Sequence, residues 1–266
     1  MIKYIAPNCQ SISSPAFFII FHREIPIFGQ TLNKKNIRNV AIIPARGGSK
    51  RIPRKNIKPF CGKPIISYSI KSALSTGLFD DVIVSTDDEE IAAVSRRYGA
   101  SVPFMRSKAN SSDYATLNDV LKEVLDGINS FHYDCACCIL PTAPLVRARD
   151  IVDSHALLAR DKKVDSIIPV VRFSYPIQRA LEIENGKLCF IWPENLNKRS
   201  NDLKPAYHDA GLFYWMRISS FRKHGVTLTK NSLPYEIQES RAQDIDNEED
   251  WKMAEMKFRL IRKENR

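Results

Sequence analysis

The sequence predicts an α/β protein built on a doubly wound, mostly parallel sheet, and three observations carry that expectation. From residue 39 to about residue 171, short apolar runs alternate with stretches of helical spacing. The runs lack polar alternation, as in Val40-Ala-Ile-Ile43, which suits strands covered on both faces. Behind three of the runs come loops of polar or rigid chemistry, and sheets of this class bind ligands beyond the carboxyl ends of their strands.

The elements follow in order. Val40–Ala45 predicts the first strand. Pro64–Thr76 has helical spacing, with Pro at its first turn and Gly77 as its stop. Asp81–Ser85 is a strand, and Asp88–Tyr98 a helix ended by Gly99. Val102–Met105 is short and extended, and Asp113 reads as the cap of a helix reaching about Ile128. Asp134–Leu140 is a strand, Arg149–Arg160 a helix and Asp165–Val171 a strand. The rhythm then changes. Residues 172–210 hold Pro176, Pro193, Pro205 and a hairpin, Ala180–Glu184 with Leu188–Trp192, turned at Asn185-Gly186. This stretch is a small β-rich insertion. Gly211–Met216 returns to the sheet, and Glu248–Glu264 closes the chain as a helix. One domain is expected over residues 39–266. Residues 1–38 lack periodicity and read as an extension, disordered or an artefact of start-codon choice.

Composition narrows the function classes. The chain has 266 residues, 44% hydrophobic and 26% charged, which fits a soluble globular protein. Its net charge of +10 raises nucleic acid as a partner. Against that, no RNA-binding motif or zinc spacing occurs, and residues 44–58 lack interleaved aromatics. No run approaches the roughly 20 apolar residues of a membrane helix. Six cysteines, with Cys135 and Cys138 at the one Cys-x-x-Cys spacing and no second such pair to complete a zinc site, read as free thiols of a reducing cytoplasm, Cys135, Cys137 and Cys138 on a strand.

The chemistry concentrates in Ile43-Pro-Ala-Arg-Gly-Gly-Ser-Lys-Arg-Ile-Pro-Arg-Lys-Asn56. Gly47 and Gly48 allow a tight turn whose N–H groups reach a ligand. Arg46, Lys50, Arg51, Arg54 and Lys55 crowd that turn, and no acidic residue offsets them between Lys34 and Lys58. A solvated turn would share this composition. Length and order set the loop apart, and an anion such as a triphosphate would relieve the repulsion. The spacing is neither that of the P-loop nor that of the dinucleotide fingerprint. Late in the chain, Asp244 and Asp246 stand at i, i+2, so an extended backbone turns both to one face. They suit a single Mg²⁺. They also precede the last helix, where an acidic first turn is ordinary, but Asn247-Glu-Glu-Asp250 already supplies that.

Residues 43–56 resemble the signature of the acylneuraminate cytidylyltransferases, the CMP-sialic acid synthetases. Other segments match in order: Ser85-Thr-Asp-Asp88, Pro103-Phe-Met-Arg106 with Ser112-Asp113, Pro141-Thr-Ala-Pro144, and Gln243-Asp-Ile-Asp246. The resemblance covers about residues 39–257. It implies the nucleotide-diphospho-sugar transferase version of the Rossmann-type fold, and a reaction of CTP with a nine-carbon 2-keto sugar acid to give a CMP-sugar and pyrophosphate. The sugar's anomeric hydroxyl attacks the α-phosphorus in line.

The same resemblance assigns roles. Arg46, Ser49, Lys50 and Lys55 hold the triphosphate, with backbone donors from Gly47 and Gly48. Asn56 and Arg106 read ribose and cytosine. Arg46, Lys50, Lys55 and Asp246 carry the catalysis, Lys55 on the leaving pyrophosphate. Asp244 and Asp246 ligate Mg²⁺. Thr142, Gln178, Arg179, Arg199, His208, Asp209 and Tyr214 meet the sugar acid, Gln178 and the two arginines as a carboxylate clamp. The sequence names no general base, with His208 and Asp87 as the candidates. In the family the insertion packs across a homodimer, so that an Arg serves the partner's site.

Tyr175-Pro-Ile-Gln-Arg-Ala180, Arg199-Ser-Asn-Asp202 and Tyr207-His-Asp-Ala-Gly211 resemble the family's pseudaminate branch, which activates that sugar for surface glycan or flagellin glycosylation. Leu140 and Ala210 stand where the sialate enzymes carry Gln and Asn. Enzymes for N-acetylneuraminate, legionaminate or the eight-carbon octulosonate, and a nucleotide-binding module without turnover, are the alternatives.

Overall fold

The computed structural model describes residues 37–264. The expected extension over residues 1–38 lies outside them except for its last two residues. Of these, Arg38 already joins the fold: its N–H donates to Asp134 Oδ2 at 3.0 Å.

The chain runs through β1 (Asn39–Pro44), the paired two-residue strands β2 (Pro59–Phe60) and β3 (Lys63–Pro64), and α1 (Ile66–Ser75). It continues through β4 (Asp81–Ser85), α2 (Glu89–Arg97), α3 (Leu117–Gly127), β5 (Cys135–Ile139), α4 (Ala148–Arg160) and β6 (Ser166–Arg172). The insertion holds β7 (Leu181–Glu184) and β8 (Lys187–Phe190). Then come β9 (Tyr207–Asp209), β10 (Phe213–Arg217), α5 (Ile218–His224), β11 (Ser232–Glu236) and α6 (Glu248–Glu264).

The main sheet has the order β11-β6-β10-β5-β1-β4, with β9 against the end of β6. Strands β4, β1, β5, β6 and β11 share one direction, and β10 runs antiparallel between β5 and β6. β9 and β10 lie along the same side of β6, bent at Ala210-Gly211-Leu212, where Gly211 takes a φ of 62°. β1 alternates its side chains between two cores. Ala41 and Ile43 face Ile70 of α1, Ile91 of α2 and Ile151 of α4. Val40 and Ile42 face Leu121 and Val124 of α3 and Phe221 of α5. Helices therefore cover both faces, which is why the strands read as uninterrupted apolar runs.

A third apolar cluster fixes the site. Ile52 of the basic loop and Ile245 are both fully buried with Phe60, Leu145, Trp251 and Phe258. Ile245 is the residue between Asp244 and Asp246. Burying it with Ile52 draws the acidic segment onto the basic loop from opposite ends of the chain.

Two local expectations change, and two elements are added. Pro64 closes the small β2–β3 ribbon and α1 starts later, at Ile66. Asp113 does not cap the third helix. Thr116 does, in a capping box: Asp119 N donates to Thr116 Oγ1 at 3.2 Å, and Thr116 N to Asp119 Oδ2 at 2.9 Å. α5 and β11 carry too little periodicity to predict. Pro234 sits in β11 because that strand is a sheet edge. The hairpin turn forms as read, with Asn185 at φ 51° and Gly186 at φ 75°, the backbone a two-residue type I′ turn requires.

Candidate active site

β1, β4 and β5 end on one edge of the sheet, and the loops leaving β1 and β5 help wall a cleft of about 500 Å³. Arg46, Ser49, Lys50, Arg51, Lys55 and Asn56 line it from the basic loop, and Arg106 from the segment after α2. Leu140, Pro141 and Thr142 close it after β5, and Asn110, Ser112, Asp113, Thr116 and Leu117 form the remaining wall.

The basic loop is tied down on both sides. Gly47 N donates to Asp87 Oδ1 at 2.8 Å, so that carboxylate supports the loop. A Cβ on Gly47 would lie 2.7 Å from Asp88 Oδ2, whereas Gly48 has open space. Asn56, buried, donates to the Arg46 carbonyl at 2.8 Å and closes the loop's base. Arg54 has a φ of 55° and pairs with both carboxylate oxygens of Asp88 and with Glu90. Its guanidinium holds the Asp88 carboxyl below the usual range. Arg106 is buried and anchored on the end of β4, with Nε donating to Ser85 Oγ at 3.0 Å and Nη2 to the Ser85 carbonyl.

The basic loop is not unopposed, as the local sequence suggests. Asp113 accepts from Arg46 Nη1 at 2.9 Å and pairs with Lys50. Asp246 accepts from Arg51 Nη2 at 2.8 Å and stands 4.0 Å from Lys55 Nζ. These two counterions come from segments 60 or more residues away, out of reach of any windowed count of charge. Lys50 and Arg46 hold the Asp113 carboxyl below its ordinary range. Lys55 Nζ also donates to the Ile245 carbonyl at 2.6 Å, and burial lowers its ammonium. Asp244 packs against Gly211, whose ideal Cβ would lie 3.6 Å from the Asp244 Cβ. Burial first, and then the charge of Asp246, push the Asp244 carboxyl above its ordinary value.

Of the residues expected to meet the sugar, one borders the cleft. Thr142 lines the cleft. Tyr214 donates from its hydroxyl to Asp209 Oδ2 at 2.8 Å, and Gly211 N donates to Asp209 Oδ1 at 2.8 Å. Burial and Asp209 push the Tyr214 phenol up. His208 is exposed, with its ring 4.9 Å from that of Phe173. His208, Asp209, Tyr214, Gln178, Arg179 and Arg199 do not line the cleft. Gln178 donates to the Lys204 carbonyl at 2.9 Å, and Arg199 is spent on Asp202 at 2.9 Å. Sequence reasoning missed the counterion role of Asp113, the Arg51–Asp246 and Arg54–Asp88 pairs, and the cleft-lining Asn110, Thr116 and Leu117. Among the described residues, no group of three or more His, Cys, Asp or Glu is placed to hold a metal ion. Nor is any described helix long and apolar enough to cross a membrane.

A cleft of cations beyond the carboxyl edge of a mostly parallel sheet fits a nucleoside triphosphate, and comparison with known proteins names the class. The family model described as cytidylyltransferase matches residues 40–217. A pseudaminic acid cytidylyltransferase of Campylobacter jejuni is 39% identical over 227 residues, 84% of this chain and 97% of that protein. N-acylneuraminate cytidylyltransferase A of Danio rerio is 34% identical over 221 residues, 82% of this chain and 50% of that protein. The solved structure of CMP:2-keto-3-deoxy-manno-octonic acid synthetase complexed with CTP matches with a TM-score of 0.63 at 18% identity, covering 85% of this chain and 99% of that one, a likeness of fold. On the family match, the identity shared with these relatives and the basic cleft, this chain belongs to the cytidylyltransferase family and is a nucleotidyltransferase.

Proposed function

We propose that the chain is a pseudaminic acid cytidylyltransferase, which joins the cytidylyl group of CTP to pseudaminate and releases pyrophosphate. The convergence of Arg46, Ser49, Lys50, Lys55, Asn56 and Arg106 on one cleft carries the reaction class. The relatives support the sugar. Two pseudaminic acid cytidylyltransferases share 37–39% identity with the chain over 97% of their own length. Enzymes named for N-acylneuraminate share 26–34%, and a CMP-N,N'-diacetyllegionaminic acid synthase 30%. Leu140, where the sialate enzymes carry Gln, lines the cleft.

In this reading Arg46, Ser49, Lys50 and Lys55 bind the triphosphate, with Gly47 and Gly48 offering backbone donors, and Asn56 and Arg106 orient the nucleoside. Such positioning, with charge dispersed over the phosphates, lowers the barrier to in-line displacement. The sugar's anomeric oxygen bonds to the α-phosphorus as the bond to the pyrophosphate oxygen breaks, its hydroxyl proton is released to water, and Lys55 neutralises the charge on the departing pyrophosphate.

Asp244 and Asp246 fit Mg²⁺. They offer hard oxygen donors on either side of the buried Ile245, and Asp244 is held above its ordinary pKa partly by its neighbour, a repulsion that a divalent cation would relieve. When bound, Mg²⁺ neutralises phosphate charge. Asp209, Tyr214, His208 and Thr142 face the sugar acid. Of all these, only Thr142 lines the cleft itself; Gln178, Arg179 and Arg199 of the insertion lie outside it in their own chain, and Ile183 and Leu188 of the hairpin are 74% and 70% exposed. Both observations support a homodimer in which the insertion of one copy completes the site of the other. Cys61, Cys135, Cys137, Cys138 and Cys189 are free thiols, which suits the cytoplasm.

The test is pyrophosphate release with CTP and Mg²⁺ across pseudaminate, legionaminate, N-acetylneuraminate and octulosonate. Turnover with pseudaminate alone is expected. Turnover only with another sugar would overturn the assignment of substrate. Silence on every sugar with CTP still bound would leave a nucleotide-binding module.

A further inference from the structure

Asp113 lines the cleft without an assigned part in the reaction. Its first expected role, capping α3, belongs to Thr116, which has Asp119 as its reciprocal partner. The Asp113 carboxylate instead reaches across the cleft, accepting from Arg46 at 2.9 Å and pairing with Lys50. Arg46 Nη1 also donates to the Ser112 carbonyl at 3.2 Å, so two successive residues of one wall are tied to the basic loop of the other. All four residues line the cleft. The contacts are also loosely held: the side chains of Arg46, Lys50 and Asp113 are 37%, 77% and 42% exposed. An ion pair open to water at this level exchanges partners at little cost in desolvation.

We propose that Asp113 is an internal counterion that occupies the triphosphate cations and must be displaced by the nucleotide, so that it sets how tightly the cleft holds polyphosphates. This rests on the reading of Arg46 and Lys50 as triphosphate ligands. One carboxylate carries a single negative charge against the several of a triphosphate or pyrophosphate, so CTP wins the exchange. After the bond to the α-phosphorus is broken, the same carboxylate competes with the product. Its return to Arg46 and Lys50 speeds the departure of pyrophosphate, which would otherwise stay in a strongly cationic pocket. Asp113 thus tunes affinity and turnover: its removal strengthens ground-state binding and slows product release.

The experiment is calorimetric titration of inorganic pyrophosphate, and separately of CTP, into the full chain without divalent metal. It compares the parent with Asp113→Asn, Lys50→Ala and Glu90→Gln, together with product inhibition by pyrophosphate in the steady state. Asp113→Asn is expected to bind pyrophosphate roughly three- to tenfold more tightly, the scale of two partly exposed ion pairs. Its pyrophosphate inhibition constant should fall by a similar factor. Glu90→Gln also removes a negative charge near the loop, but its partner is Arg54. It should leave the affinity unchanged, which separates direct competition from a general field effect. Unchanged or weaker binding in Asp113→Asn would overturn the proposal, as would equal tightening in Glu90→Gln. If Lys50→Ala binds as the parent does, the triphosphate reading fails, and the counterion falls with it.

Discussion

Gly47 offers a test of how the basic loop is built. An alanine methyl there would lie 2.7 Å from Asp88 Oδ2 and 2.9 Å from Asp88 Cβ. The oxygen could rotate away, but the Cβ is fixed to the backbone. Asp88 is not free to yield, because it is the N-cap of α2, accepting from Ile91 N at 3.0 Å, and it pairs with Arg54. Relief therefore requires either the loop or the cap to move. Overpacking a tight contact costs about 1–3 kcal/mol, and losing an N-cap about 0.5–2 kcal/mol. Gly47→Ala should accordingly lower the free energy of unfolding by about 2–4 kcal/mol. Gly48→Ala is the matched control: nothing lies within 4 Å of its ideal Cβ, so its change should stay within about 0.5 kcal/mol. Urea denaturation of the two variants beside the parent measures both values. If Gly47→Ala is as stable as Gly48→Ala, the close approach of the loop to Asp88 is wrong.

Three further outcomes follow from the same geometry. Asp246→Asn should lower kcat at saturating Mg²⁺ by at least about 100-fold if this carboxylate helps hold the metal, and a loss of only a few-fold would refute that role. The Asp244 carboxyl is raised in the folded protein by burial and by Asp246, so the folded state keeps that proton more tightly than the unfolded state. Its stabilising contribution is complete below the ordinary carboxylate range and is lost as pH rises through the folded-state value. Metal-free Asp244→Asn should therefore unfold at a higher temperature than the parent at neutral pH, and lose that advantage when the scan is repeated in acid. Asp150 and Arg241 form a pair with side chains only 6% and 16% exposed. Asp150→Ala strands the guanidinium and should cost about 3–5 kcal/mol in urea denaturation, while an Asp150→Leu, Arg241→Met double variant should cost clearly less.

How far the sequence could be read depended on the range of the interaction that built each part. The parallel strands were legible because helices cover both faces, which leaves β1 as the continuous run Val40-Ala-Ile-Ile43 with no polar position to confuse its reading. The hairpin was legible because Asn185-Gly186 meets a purely local demand for positive φ at both positions. The cap of α3 was misplaced by three residues, since Asp113 and Thr116 are both acceptable cap residues and only the reciprocal bond with Asp119 decides between them. β11 was invisible for the opposite reason: its pairing with β6 is made by backbone groups, and its Pro234 argues against a strand to anyone who does not know that it lies at an edge.

The site shows the same division, with a consequence for its electrostatics. The cations were visible because they lie together in residues 46–55. Their counterions were not, because Asp113 arrives from the far wall, Asp246 from near the end of the chain, and Asp88 and Glu90 from the start of α2. What brings Asp246 there is apolar rather than ionic. Ile245 is fully buried in one cluster with Ile52, and that contact would hold the two segments together even with every charge removed. An exposed ion pair contributes at most about 1 kcal/mol, whereas fully burying an isoleucine contributes about 1.5–3 kcal/mol, so packing places the carboxylates and the charges then adjust to one another. A site assembled in this order can exchange its ionic partners when a polyanion arrives without losing the arrangement of its loops.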